Sequence, residues 1–173
     1  CVVGAGRWGK NHINDLFDLG YLGGVVDTNK KEIDNLKLKY PNINFFSDLN
    51  SSFLHNFDGY IVATPSSSHA RLAKEIIKKK KPVLVEKPLA QSLKDAQDLE
   101  KIINETDGKL LVGHLLLFHP AILKMKKMIG EGDIGDIQYI YSNRLNLGIV
   151  RKDENVFWSF APHDIALFQF FSN

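Results

Sequence analysis

Cysteine is almost absent from this chain: Cys1 is the only one in 173 residues. An internal disulfide is therefore excluded, and the usage fits a reducing compartment. No apolar run reaches membrane-spanning length, and the basic, apolar, small-residue order of a secretion signal is missing. The chain thus reads as cytoplasmic, with no membrane partner. A one-sided charge field is lacking as well. Lysine and arginine number 22 against 20 acidic residues, and their scatter argues against a nucleic-acid partner. Low-complexity linkers and internal repeats are also absent. What remains is 44% hydrophobic, enough to bury a sizeable core in one domain or slightly more.

Both ends read as cut. Val2-Val3 has the character of a strand tail, and "HDIALFQFFSN" stops in an apolar helical pattern whose cover is not in the sequence. The expectation is part of a longer chain.

Between the ends, short runs rich in Val, Ile and Phe alternate with amphipathic stretches, the pattern of a parallel sheet with crossover helices. The first strand ends at Gly4, and a helix follows from about Arg7 to Leu19. Further strands are expected at Tyr21–Asp27, 42–46, Gly59–Thr64, Pro82–Pro88 and Lys109–Phe118. Helices fill the gaps, one ended by Pro41 and one started by Pro65. Past Phe118 the rhythm changes. A helix "PAILKMKKMIGEG" leads to a long alternating strand "DIQYIYSNRLNLG", then to a terminal helix beginning near Pro162. The fold class is α/β: a Rossmann-type doubly wound parallel sheet over residues 1–118, then the truncated start of an α/β substrate domain over 119–173.

The opening "CVVGAGRWGKNH" places Gly4, Gly6 and Gly9 between a strand and a helix. Gly4 suits the tight turn, Gly6 lets backbone approach a pyrophosphate, and Gly9 lets helix pack on strand. The helix N-terminus adds N–H groups and a favourable dipole for phosphates. Arg7 and Trp8 lie inside this turn and join the candidate cofactor contacts. Asp27 closes the second strand eighteen residues beyond Gly9, where a carboxylate accepts from ribose hydroxyls and repels a 2′-phosphate. NAD is favoured over NADP, although Lys30 and Lys31 soften that repulsion. The same turn and acid also suit a methyltransferase that uses S-adenosylmethionine, so later motifs must decide.

In an open parallel sheet the ligand sits beyond the carboxyl ends of the strands. Those ends read "ATPSSSH", "EKP" and "GHLLLFHP". In this order after the glycine turn, they resemble the Gfo/Idh/MocA family of nicotinamide-dependent oxidoreductases. The resemblance covers the whole chain, with family proteins continuing past Asn173 into an open sheet. It implies an enzyme that uses NAD and acts on a small-molecule sugar or polyol, and a homo-oligomer built through that C-terminal sheet.

Residue by residue, Glu86-Lys87-Pro88 resembles the family's EKP motif, which implies that Lys87 lies near nicotinamide and substrate. A strand-end lysine is otherwise as readily a solvated one; in a closing cleft, desolvation tunes it toward neutral pH. The Lys87-Pro88 bond is a candidate for the cis form. Thr64 and Pro65 through His69 resemble the family's cofactor-lining stretch, with Ser67 and Ser68 read as helix caps and His69 as a cofactor contact or a packed side chain. His163 matches the family histidine opposite the lysine. Placed at a helix N-terminus, its neutral form is favoured and it can take a proton from a substrate hydroxyl. Many members carry an aspartate four residues earlier. Here Ser159 stands there, with Asp164 as a partial substitute.

The stretch "SNRLNLGIVRKDENVFWSFAPHD" resembles most the branch acting on UDP-linked N-acetylamino sugars and their uronic acids. Arg144, Asn146 and Arg151 then read as partners for a carboxylate or diphosphate, or equally as solvated residues. Lys87 and His163 complete the substrate set. No metal is expected, since His114 and His119 are separated by an odd number of strand positions; His114 alone stays a secondary site candidate. Three rivals remain: NAD binding without chemistry, kept open by Ser159, a dehydrogenase of another polyol, and the methyltransferase, against which EKP and the distal histidine argue.

Overall fold

A computed structural model describes residues 1–145 and 155–172. These fall into two compact units, Cys1–Val112 and Gly113–Asn173.

In the first unit six short strands form one parallel sheet: β1 Val2–Val3, β2 Gly24–Val26, β3 Asn44–Phe46, β4 Tyr60–Val62, β5 Val83–Val85 and β6 Leu110–Val112, in the order β3-β2-β1-β4-β5-β6. The helices between them are α1 Arg7–Asp18, α2 Lys30–Lys39, α3 Leu49–Ser52, α4 His69–Lys78 and α5 Leu93–Thr106. Alternation along the strands builds two cores. Val2 and Val25 join Ile13 of α1 and Leu36 of α2 on one face. Val3, Val26, Val62 and Val85 join Leu72 and Ile76 of α4 and Leu99 of α5 on the other. A doubly wound sheet needs such a split, because both of its faces must be covered by apolar helix stripes.

The register fixes the functional edge. Val3 pairs with Val26 and Val62, and Val62 with Val85. The residues that follow, from Gly4, Asp27, Ala63 and Glu86 onward, therefore leave the sheet side by side. The sixth strand is shorter than the sequence pattern suggests: Leu110–Val112 is strand, and Leu115–Phe118 is a 3-10 turn. Apolar residues alone carry no period that separates the two.

In the second unit, α6 Pro120–Gly130 packs with α7 Val156–Ser172. His119 caps α6, its Nδ1 accepting from the Ala121 N–H at 3.2 Å. The alternating strand expected after α6 is not formed over its described part, residues 136–145. A strand exists only through a ladder partner, and no described segment pairs with it. The terminal helix starts at Val156 rather than near Pro162, which lies inside it. The signal was Asn155, whose Oδ1 accepts from the Trp158 N–H at 3.0 Å as an N-cap. No helix among the described residues is long and apolar enough to cross a membrane.

Candidate active site

The glycine turn divides its work by position. Gly4 has φ +97°, and a Cβ there would stand 2.8 Å from the Ala63 carbonyl, so both its conformation and its contact with β4 require glycine. A Cβ at Gly9 would overlap the Gly4 carbonyl oxygen, which shows how tightly α1 packs on the turn. Gly6 is the reverse case: a Cβ there meets nothing within 4 Å among the described residues. The open space lies at the head of α1, where Gly6 supplies no side-chain cap and the first turn holds no acidic residue. First-turn N–H groups of a helix lack intrahelical acceptors, so this end is left free for an anion. Arg7 and Trp8 begin α1 with exposed side chains.

Asp27 is built into the same turn. Its Oδ2 accepts from the Ala5 N–H at 2.6 Å and its Oδ1 from the Asn29 N–H at 2.7 Å. Two carboxylate oxygens offer about four acceptor positions, so capacity remains for ribose hydroxyls. Together, the open approach at Gly6, the uncapped helix head and the half-buried Asp27 fit a dinucleotide. The residues that would hold it are Gly4, Gly6, the N–H groups of Arg7, Trp8 and Gly9, and Asp27.

After β4, Thr64 Oγ1 and Ser68 Oγ lie 2.7 Å apart, and Ser68 donates to the Pro65 carbonyl at 2.8 Å. Ser68 thus closes the turn on itself. The capping role expected for it is not made, since α4 has no side-chain cap bond at Ser68. His69 is buried, at 1% exposure. Its Nδ1 lies 2.8 Å from the Pro88 carbonyl oxygen and its Nε2 2.8 Å from that of Thr64. The ring therefore ties the turn after β4 to the turn after β5, with both nitrogens engaged by main chain.

After β5, the Glu86 N–H extends the ladder to the Val62 carbonyl at 2.9 Å, Lys87 is half-buried, and the Lys87-Pro88 bond is cis. Glu86 itself is 8% exposed. His12 of α1 donates through Nε2 to Glu86 Oε1 at 2.7 Å. Sequence reasoning gave His12 no role, because its partner lies 74 residues away and nothing local announces the pair.

In the second unit, Arg144 grips Asp164 with Nε at 2.8 Å and Nη2 at 2.9 Å. That fork, expected at a substrate anion, is turned to Asp164. The Arg144 guanidinium, aided by Ser142, holds the Asp164 carboxyl below the usual carboxylate range. Asp164 is thereby committed to Arg144. His163 is the eighth residue of α7. A helix dipole acts within the first turn, so the argument that the helix head favours its neutral form does not hold. Asn146 and Arg151 lie outside the described residues.

Residues 1–114 match the Gfo/Idh/MocA family model, described as an oxidoreductase family with an NAD-binding Rossmann fold. The chain is 31% identical over 159 residues to the 2,7-anhydro-N-acetylneuraminate hydratase of Escherichia coli K12, covering 91% of this chain and 42% of that protein. The solved WlbA dehydrogenase of Bordetella pertussis, in complex with NADH and UDP-GlcNAcA, is 29% identical with a TM-score of 0.70, over 76% of this chain and 42% of that one. The scyllo-inositol dehydrogenase of Lactobacillus casei shares the fold at a TM-score of 0.82 and 21% identity, over 98% of this chain and 54% of that one. The chain spans about half the length of the curated relatives it matches.

Proposed function

Since this chain belongs to the Gfo/Idh/MocA oxidoreductase family and carries its NAD-binding Rossmann fold, we propose that it serves an NAD-dependent oxidation of a sugar hydroxyl. The observation that carries the reading is the shared strand-end edge, where the dinucleotide cradle at Gly4, Gly6 and Asp27 and the Glu86-Lys87-Pro88 turn follow residues paired in one register. NAD, when bound, supplies the hydride acceptor. The chain's own residues bind and orient it: the first-turn N–H groups of α1 hold the pyrophosphate, and Asp27 holds the adenosine ribose and disfavours NADP. Lys87 takes the proton of the substrate hydroxyl or polarises its oxygen. The balance is one hydride lost from carbon and one proton lost from oxygen, leaving a ketone.

The substrate class proposed is a UDP-linked N-acetylamino sugar or its uronic acid. Support comes from the WlbA dehydrogenase, solved with NADH and UDP-GlcNAcA, at 29% identity. A second reading, net hydration of an anhydro sugar, is favoured by the 31% identity to a hydratase.

Product analysis separates them. Full-length protein is incubated with NAD⁺ and a panel of UDP-amino sugars, their uronic acids, inositols and anhydro sugars, and the sugars are weighed by mass spectrometry. A UDP-sugar lighter by two hydrogens, with NADH formed, supports the oxidation. A sugar heavier by one water, without NADH, supports the hydratase.

A further inference from the structure

We propose that His12 is a positioning residue for Lys87, acting through Glu86; this rests on the reading of Lys87 given above. Glu86 leaves β5 one residue after Val85, whose side chain belongs to the core on the α4 and α5 face. Strand alternation turns Glu86 to the opposite face, the one that α1 covers through Ile13. There its carboxylate is nearly buried and accepts from His12 Nε2 at 2.7 Å. A carboxylate removed from water needs such a charge-assisted partner, so the pair fixes the side chain immediately before Lys87. The residue immediately after Lys87 is fixed too, through the Pro88 carbonyl on His69.

The two anchors differ in what they connect. His69 joins two turns of the sheet edge. His12 stands six residues into α1 from Gly6, about 9 Å along the axis at helical rise, on the same rigid element whose head forms the phosphate cradle. His12 thus carries the position of the cradle to the turn that presents Lys87.

The test uses full-length protein with its lysine amines ¹³C-methylated, the Lys87 resonance being identified by its loss in Lys87→Met. His12→Leu and His12→Asn, the latter too short to reach Glu86, remove the donor; His12→Gln restores one near the Nε2 position. Both removals are expected to shift the Lys87 resonance and to lower kcat about tenfold or more, with KM and NADH affinity changed less than about threefold. His12→Gln is expected to recover the wild-type resonance and most of kcat. A Lys87 resonance unchanged in both removals overturns the proposal, as does a fall in NADH affinity that accounts for all the lost activity. Should His12→Leu fail to fold, His12→Asn decides. The resonance is read without substrate, so a Lys87→Met protein that still turns over would sink the assigned role of Lys87 and leave the positioning result standing.

Discussion

Asp27 accepts the backbone N–H of Ala5 at 2.6 Å, so the carboxylate that closes β2 is a structural part of the glycine turn. Removing it acts on the turn and, under the proposed function, on the ribose of NAD. Asp27→Ala leaves the part-buried Ala5 N–H without its acceptor, at a cost of about 1–3 kcal/mol. Asp27→Asn keeps one acceptor oxygen. NAD⁺ affinity by calorimetry is expected to fall about tenfold or more in Asp27→Ala and less in Asp27→Asn, with the preference for NAD⁺ over NADP⁺ reduced in both. Unchanged affinity in Asp27→Ala would remove Asp27 from the cofactor site.

Two glycines should fail in different ways. Gly9→Ala places its methyl on the Gly4 carbonyl oxygen, and forced overpacking of this kind costs about 1–3 kcal/mol. Gly6→Ala meets nothing within 4 Å among the described residues and should fold with wild-type stability. Urea midpoints should drop for Gly9→Ala alone, whereas NADH affinity should drop for Gly6→Ala despite its intact fold. Equal affinity in Gly6→Ala and wild type would contradict the assignment of the open space to a pyrophosphate.

Lys87→Met should abolish turnover by more than about a hundredfold, the scale of a lost acid–base group. NADH affinity should stay near wild type, because the proposed cradle is formed by Gly4, Gly6 and Asp27. Steady-state kinetics beside a fluorescence titration of NADH checks both halves.

The Arg144–Asp164 pair predicts a pH dependence with a definite sign. A carboxyl lowered in the folded state contributes stability that is fully present above its unfolded value, about 3.9. That contribution is lost as pH falls through the lowered folded value. Asp164→Asn should therefore be less stable than wild type at neutral pH, and the gap should close below about pH 4. A gap that persists unchanged in acid, measured by denaturant midpoints, would assign it to packing.

Much of the first unit was legible because its signals are local. Gly4 and Gly9 each announce a backbone requirement, and the structure gives each a steric reason, a positive φ at Gly4 and the close Gly4 carbonyl at Gly9; at Gly6 no described atom lies within 4 Å of a Cβ. Asp27 was legible as a carboxylate at a strand end, though not its bond to Ala5. His12 and Glu86 were illegible as a pair, since a contact across 74 residues leaves no periodic trace. Pro162 suits a first helical turn, yet α7 begins six residues earlier at Val156, after the weaker cap signal of Asn155. Residues 136–145 alternate as a strand does, yet pairing depends on a partner and the alternation cannot supply one.

Under the proposed function, hydride passes from a sugar carbon to nicotinamide. The most direct measurement supplies full-length protein with NAD⁺ and UDP-N-acetylglucosaminuronic acid deuterated at its carbinol carbons, then weighs the cofactor by mass spectrometry. Hydride transfer predicts NADH carrying one deuterium and a sugar that has lost it. Bound NAD⁺ recovered unreduced, beside a sugar that keeps all of its label, would contradict it.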